Sequence, residues 1–353
     1  MQAVLDQNKL EELLGRVVHD LAAGESGVST YVGDTLGLYR AMDGAGPLTA
    51  GELAAMTATH ERYVREWLQN QTISGYVVFD PATDRFELPP EQAAVFADET
   101  SPAFLAGVIE ITAAMWASAD RVVEAFQTGR GIDYADHDPR LARGISRSFA
   151  PLYRSALVSQ WIPAIAGLEE RLETGTRVLD VGCGTGISTV LLAEAFPNSE
   201  FVGYDLHEEA IELARKGAAD AGLGDRVRFE VAHADAPPAG EYGLVCFFDA
   251  LHDIGDPEQT VAVIASQLAA DGVVMVVEPA AADRLEANMN PVSRLYSAGS
   301  VALCTPSALA HGDHALGAQA GPEALRRVLE AGGLRDVKVA ATTPFNLIIE
   351  AHA

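Results

Sequence analysis

Two short stretches of this sequence hold residue types that chemistry uses. The first is VLDVGCGTGIS, residues 178–188, in which an apolar run enters Gly182, Gly184 and Gly186 and helix-forming residues follow at once. Glycines so placed let the backbone approach a ligand closely or adopt positive φ. Dinucleotide-binding loops also follow a strand with glycines, at G-x-G-x-x-G spacing. Here the spacing is G-x-G-x-G, and Asp180 stands inside the run ahead of it. A carboxylate there repels a pyrophosphate and suits a cationic amino-acid ligand. Asp205 ends the next apolar run, where doubly wound folds place a carboxylate against ribose hydroxyls. Asp235, after the third run, is placed to accept from an adenine amino group. The second stretch is FFDALHDIGDP, residues 247–257: His252 and Asp253 follow the fourth apolar run, and Glu278 closes the fifth. Ligands of open α/β sheets bind at that edge.

The elements that must position these residues are readable from the pattern. From Thr176 strands and helices alternate, with strands at RVLDVG (177–182), EFVGYD (200–205), RVRFEVA (226–232), YGLVCFFDA (242–250) and GVVMVVEPA (272–280). Runs apolar nearly throughout suit parallel strands covered on both faces. Residues 281–320 show no clear period and are too long for a plain loop, so they read as a lid or substrate-binding insertion. A helix (322–332) and two strands (335–341 and FNLIIEA, 345–351) close the chain, and two strands joined by a short turn pair antiparallel. Upstream, residues 1–100 read as short helices. GDTLGLYRAM (33–42) is one, and Thr49 caps the next with Glu52 in a capping box. HERYVREWLQNQTISGYV gives a third, stopped at Gly75, and YVVFDPATDRFELP a hairpin. Helix, turn, helix, hairpin is the outline of a winged helix. Residues 101–172 read as entirely helical, which leaves 173–353 for the α/β domain.

Composition narrows the classes. The chain has 353 residues, 48% hydrophobic and 21% charged, enough for two packed domains. A formal net charge of −26 opposes nucleic acid and anionic membrane as partners, since both are held by Lys and Arg. No apolar run reaches the ~18 residues of a membrane span. The N-terminus shows no basic n-region or cleavage site, so a cytoplasmic location is expected. Cys183, Cys246 and Cys304 stand too far apart for a disulfide framework or metal motif. His311 and His314 are close in sequence with no third ligand nearby, and read as mobile surface histidines rather than a metal site.

Through these residues the region from about 150 to 353 resembles the class I S-adenosylmethionine-dependent methyltransferases. The resemblance implies an α/β, Rossmann-like sheet of seven strands with only the last antiparallel, and S-adenosylmethionine lying across the ends of the first four. The cofactor contacts it implies are Asp180, Gly182, Cys183, Gly184, Gly186, Asp205, Leu206, Ala234, Asp235, Phe248, Asp249 and Tyr153. FFDALHDIGDP and PFNLIIEA look like the small-molecule O-methyltransferases that carry an N-terminal winged-helix dimerisation domain. In that group a His-Asp pair supplies the general base and an acidic partner orients the histidine, which implies catalytic roles for His252, Asp253 and Glu278. A hydroxyl acceptor must lose its proton, and histidine suits that near neutrality. Ile254 departs from the tryptophan of plant-type enzymes and leaves the acceptor open. The segment CTPSAL…ALGAQAG resembles bacterial two-domain methyltransferases in which it helps close the pocket.

Phe149, Tyr153, Trp161, Met115 and Trp116 either line an apolar acceptor pocket or pack in the core. A winged helix also raises DNA binding. Residues 1–99 hold six Lys/Arg against sixteen Asp/Glu, and the candidate recognition helix (60–74) opposes Arg62 and Arg65 with Glu61 and Glu66. That is no footprint for phosphate. The expectation is therefore a homodimer acting on a small molecule. N- or C-methylation, and a cofactor-sensing transcriptional regulator, are the alternatives.

Overall fold

The computed structural model describes residues 5–353. Residues 1–4, the start of the N-terminal stretch read above, lie outside them. The described residues pack into two compact units, those up to 113 with 143–151, and residues 114–142 with 152–353.

The first unit begins with a long helix, Gln7–Thr35, capped by the Asp6 carboxylate. Gly37 at φ 69° ends the run, and a separate helix covers Leu38–Met42. The single helix expected at 33–42 is thus two, because a left-handed glycine cannot continue a right-handed turn. The capping box at Thr49 and Glu52 opens the helix Ala50–Met56. The helix Glu61–Ile73 follows, then β1 (Val78–Asp80) and β2 (Arg85–Glu87), paired antiparallel. Tyr39 sits at the centre of this core, 5.0 Å from both the Trp67 and Phe96 rings, with its hydroxyl on Gln71 Oε1 at 2.5 Å. Arg147 ties the unit together: it grips Asp34 with two nitrogens (2.7 and 2.9 Å) and reaches Glu99 and Glu110 at 2.7 and 3.0 Å.

The second unit is built on a seven-stranded sheet of β3 (Arg177–Val181), β4 (Glu200–Asp205), β5 (Val227–Val231), β6 (Tyr242–Phe248), β7 (Leu268–Pro279), β8 (Arg335–Thr342) and β9 (Asn346–His352). The spatial order is β5-β4-β3-β6-β7-β9-β8. β9 alone runs against its neighbours, pairing antiparallel with both β7 and β8. β6 is buried along its whole length, as an apolar run covered on both faces must be. The chain turns one way after β3 and the other way after β6. The crevice at their carboxyl ends is therefore the topological switch point, where such sheets bind ligands.

One expectation is corrected. Residues 101–172 are not helical throughout: non-helical backbone separates the helix Ala119–Thr128, closed by Gly129 at φ 70°, from a short turn at Tyr134–Asp136 and the helix Arg140–Ala156. The segment 281–320, read as too long for a plain loop, is mostly short helix, with Pro291–Gly299, a widened π turn at Ser300–Cys304, and Thr305–His311. Proline starts two of these helices, where a missing N–H costs nothing. Their shortness hides the helical period. Among the described residues no helix is long and apolar enough to cross a membrane.

Candidate active site

The glycine loop leaves β3 at Val181. Gly182, Gly184 and Gly186 all have positive φ (67°, 51° and 75°), for two different reasons. A Cβ on Gly182 would strike Ala250, and one on Gly186 would strike Phe229 and Ala214. A Cβ on Gly184 would meet nothing, so that residue borders open space. The Gly182 and Cys183 N–H groups donate to Tyr204 O, which pins the loop to β4. The Gly184 N–H donates to Asp205 Oδ2 at 2.9 Å, and the His207 N–H to Asp205 Oδ1 at 3.0 Å. Asp205 therefore fixes the loop as well as presenting a carboxylate beside it.

Asp180 is buried. Its Oδ2 accepts from the Ser188 and Thr189 hydroxyls at 2.8 and 2.6 Å, which ties the strand to the helix Ile187–Ala195. Its Oδ1 is buried without a hydrogen-bond partner. Burial pushes the carboxyl up to about 6, against the two hydroxyls that lower it. Leu206 is partly buried beside Asp205. Ala234 O accepts from the Tyr204 hydroxyl at 2.9 Å, while Asp235 is exposed on the following turn.

The β6 end supplies the rest. Phe248 is buried, with the Tyr153 ring 5.9 Å and the Trp161 ring 6.5 Å away. Of the other aromatic candidates, Trp161 is core and Trp116 is exposed, Met115 is partly buried, and Phe149 falls among residues 143–151 of the first unit. Asp249 takes positive φ (50°), and its carboxylate accepts from Asn346 Nδ2 at 3.2 Å. Burial, then the nearby Glu278, drives its carboxyl well above the usual range.

A single 3-10 turn, Leu251–Asp253, carries the histidine. His252 is buried. Its Nδ1 meets Glu278 Oε2 in a short hydrogen bond. The other oxygen of Glu278 accepts the N–H groups of Leu251 (2.9 Å) and His252 (3.3 Å), so the carboxylate holds both the ring and the turn that bears it. His252 Nε2 lies 3.3 Å from Asp253 Oδ1. That oxygen is buried and makes no hydrogen bond, so the contact is electrostatic. Burial opposes charge on the ring, yet the Asp253 and Glu278 carboxylates outweigh it and hold the imidazole well above its ordinary value.

Sequence reasoning missed three residues here. Asn346 is fully buried, and a polar residue in the apolar run FNLIIEA was its signal. Tyr134 lays its ring 5.1 Å from that of His207, and its hydroxyl titration is raised by burial and then by Asp253 and Asp205. Cys304 lies against His252 and Asp253; the segment it opens was read as closing the pocket, but nothing singled out the thiol itself. His311 and His314 are both exposed; His311 lies 3.1 Å from Asp133 and His314 3.6 Å from Asp256.

Comparison with known proteins agrees with this architecture. Residues 172–333 match the methyltransferase domain family, and residues 24–98 match the Rv2258c-like winged HTH domain. Among curated proteins, the ubiquinone biosynthesis O-methyltransferase of Aromatoleum aromaticum is 35% identical over 130 residues, 36% of this chain and 52% of that protein. Its counterpart in Bordetella avium is 30% identical over 151 residues, 42% and 57% respectively. An uncharacterized Synechococcus protein matches at 32% over 112 residues, 31% of this chain and 27% of its own. The chain thus spans about half or less of the length of these relatives. Solved structures share the whole fold: the mitomycin 7-O-methyltransferase MmcR has TM-score 0.74 at 19% identity, covering 98% of this chain and 100% of that one. Human N-acetylserotonin methyltransferase has TM-score 0.72 at 17% identity, covering 100% and 99%. An N-terminal winged-helix domain is here followed by a class I methyltransferase domain, the kind whose cofactor is S-adenosylmethionine.

Proposed function

We propose that the protein methylates a hydroxyl group of a small-molecule acceptor, with His252 as the general base and Glu278 as the residue that orients it. The observation that carries this reading is the Glu278 clamp. One oxygen takes His252 Nδ1 and the other takes two backbone N–H groups of the same turn. Nδ1 is therefore the protonated nitrogen, and Nε2 is left as the one to receive a proton. With the imidazole held well above its ordinary value by the Asp253 and Glu278 carboxylates, Nε2 must lose its proton before it can act, so turnover rises with pH through that raised value.

The glycine loop fits the cofactor. Open space at Gly184, the Asp205 carboxylate at the loop and the unpartnered buried oxygen of Asp180 match a nucleoside bearing a cationic amino-acid tail. When bound, S-adenosylmethionine supplies an activated methyl carbon. The chain's own part is to hold Asp205, Leu206, Ala234 and Asp235 along the nucleoside, and Asp180, Gly182, Cys183 and Gly184 along the tail. Gly186 packs the helix close, and Phe248, Asp249 and Tyr153 border the β6 end. Asp253 tunes the charge on His252. A purified His252→Ala variant tests the base. A loss of ~10²–10⁴-fold in methyl transfer, with S-adenosylhomocysteine binding retained, supports it; near wild-type turnover refutes it.

The N-terminal helix supports a homodimer. Leu14, Val18, Leu21, Val28 and Val32 recur at alternating three- and four-residue steps, with Glu25 at the one polar place in the seam. The five are 53%, 63%, 61%, 66% and 38% exposed. Such a seam suits a matching helix from a second copy. On the helix Glu61–Ile73, Arg62 and Arg65 are paired with Glu66 and Glu61, which opposes DNA binding.

A further inference from the structure

The donor atoms of His252, Asp253 and Cys304 all lie within 4.8 Å of one another. We propose that these three side chains form a zinc(II) site, and that a bound ion switches methyl transfer off. Imidazole nitrogen, carboxylate oxygen and thiolate sulfur are the donors zinc prefers, and three protein ligands with a fourth place open is a common zinc arrangement. Nε2 and Oδ1 are already 3.3 Å apart, close to the ligand separation of a tetrahedral ion. The Cys304 sulfur lies within 4.8 Å of both, so a small side-chain movement closes the set, given Zn–S of ~2.3 Å and Zn–N of ~2.0 Å.

Three further observations point the same way. Asp253 Oδ1 is buried and makes no hydrogen bond of good geometry, although His252 Nε2 stands 3.3 Å away and the Cys304 thiol is also near, so a cation set among the three would satisfy it better. Glu278 accepts from Nδ1, the carboxylate–histidine contact that typically stands behind a zinc-bound imidazole and aims its other nitrogen. The π turn at Ser300–Cys304 brings the thiol here from a distant part of the chain, and such turns recur at functional sites. On binding, the thiol and His252 Nε2 each give a proton to solvent, and sulfur and the freed ring nitrogen become ligands. Zinc then occupies the Nε2 lone pair. The switch, though not the metal site, rests on the reading of His252 as the base.

The test uses the full-length protein freed of metal by a chelating resin. Cobalt(II) is titrated in as the spectroscopic stand-in, zinc(II) is then used to displace it, and S-adenosylhomocysteine binding is measured in parallel. The expected result is a thiolate-to-cobalt band in the near ultraviolet that saturates at one ion per chain and is bleached by zinc. In Cys304→Ser the band is lost, and in Asp253→Asn zinc affinity falls by ~10–100-fold, with melting curves that show both variants folded. Methyl transfer falls as zinc is added and returns with chelator. No cobalt band in the wild type, or an unchanged band in folded Cys304→Ser, overturns the site. If S-adenosylhomocysteine binds while the band is absent, the site fails and the methyltransferase reading stands. If the band appears without nucleoside binding, the site stands and the cofactor reading fails.

Discussion

Glu278→Gln is the substitution whose outcome follows most directly from the geometry. Glutamine has the same shape but only one acceptor oxygen. The Leu251 and His252 N–H groups, both on Glu278 Oε1, demand that oxygen. Turning the amide round would leave two buried donors facing an NH2 group, at about 1–3 kcal/mol each. The favoured orientation therefore points NH2 at His252 Nδ1. The ring must then accept at Nδ1 and carry its proton on Nε2, which is useless as a base. A penalty of at least about 2 kcal/mol leaves no more than ~3% of molecules in the competent tautomer. Turnover should fall at least ~30-fold, up to the ~10⁴-fold typical of losing an oriented base. Removing one of the two carboxylates that raise the histidine also moves the acid limb of the pH–rate profile to lower pH. The assay is methyl transfer under saturating S-adenosylmethionine, with S-adenosylhomocysteine affinity as the control for folding. A loss below about 3-fold, with the control unchanged, would refute the orienting role of Glu278.

Other consequences are as direct. Burial pushes the Asp180 carboxyl up to about 6, and a cationic ligand favours its ionised form. Protons and ligand therefore compete: the dissociation constant for S-adenosylmethionine should be flat above pH 6 and rise by up to ~10-fold per unit below it, and calorimetry on Asp180→Asn should show the dependence gone. Arg147→Met strands the buried Asp34 and Glu110 carboxylates, although Arg40 and Arg143 still reach them. The cost should be about 3 kcal/mol, read as a drop of ~6–12 °C in a thermal melt; an unchanged melt would show that the clasp contributes nothing. The proposed homodimer predicts twice the chain mass for the wild type in light scattering and a single-chain mass for Leu14→Glu with Val18→Glu; a variant of unchanged mass would remove the helix seam as the interface.

Much of the α/β unit was legible because its chemistry and its periodicity coincide. The run RVLDVG reads as a buried strand and ends at glycines that must turn, so the strand and its loop were found together. EFVGYD was placed to the residue, since Asp205 is both the last strand residue and the carboxylate at the loop. The pairing of Glu278 with His252 was anticipated only through resemblance, because a contact 26 residues apart in sequence leaves no local pattern. Cys304 was invisible for a related reason. It lies among helices of nine residues or fewer, too short to show an amphipathic stripe, and reaches the histidine through tertiary packing. The long N-terminal helix was under-read because its exposed apolar seam satisfies no core within the chain.

The most direct test of the account is calorimetric titration of the purified protein with S-adenosylmethionine and S-adenosylhomocysteine, repeated on Asp205→Ala. The structure predicts micromolar binding of both ligands to the wild type and a loss of at least ~10-fold in the variant, since the carboxylate that faces the nucleoside also holds the Gly184 N–H. Binding of neither ligand to the folded wild type would contradict the cofactor site and, with it, methyl transfer as the function of this chain.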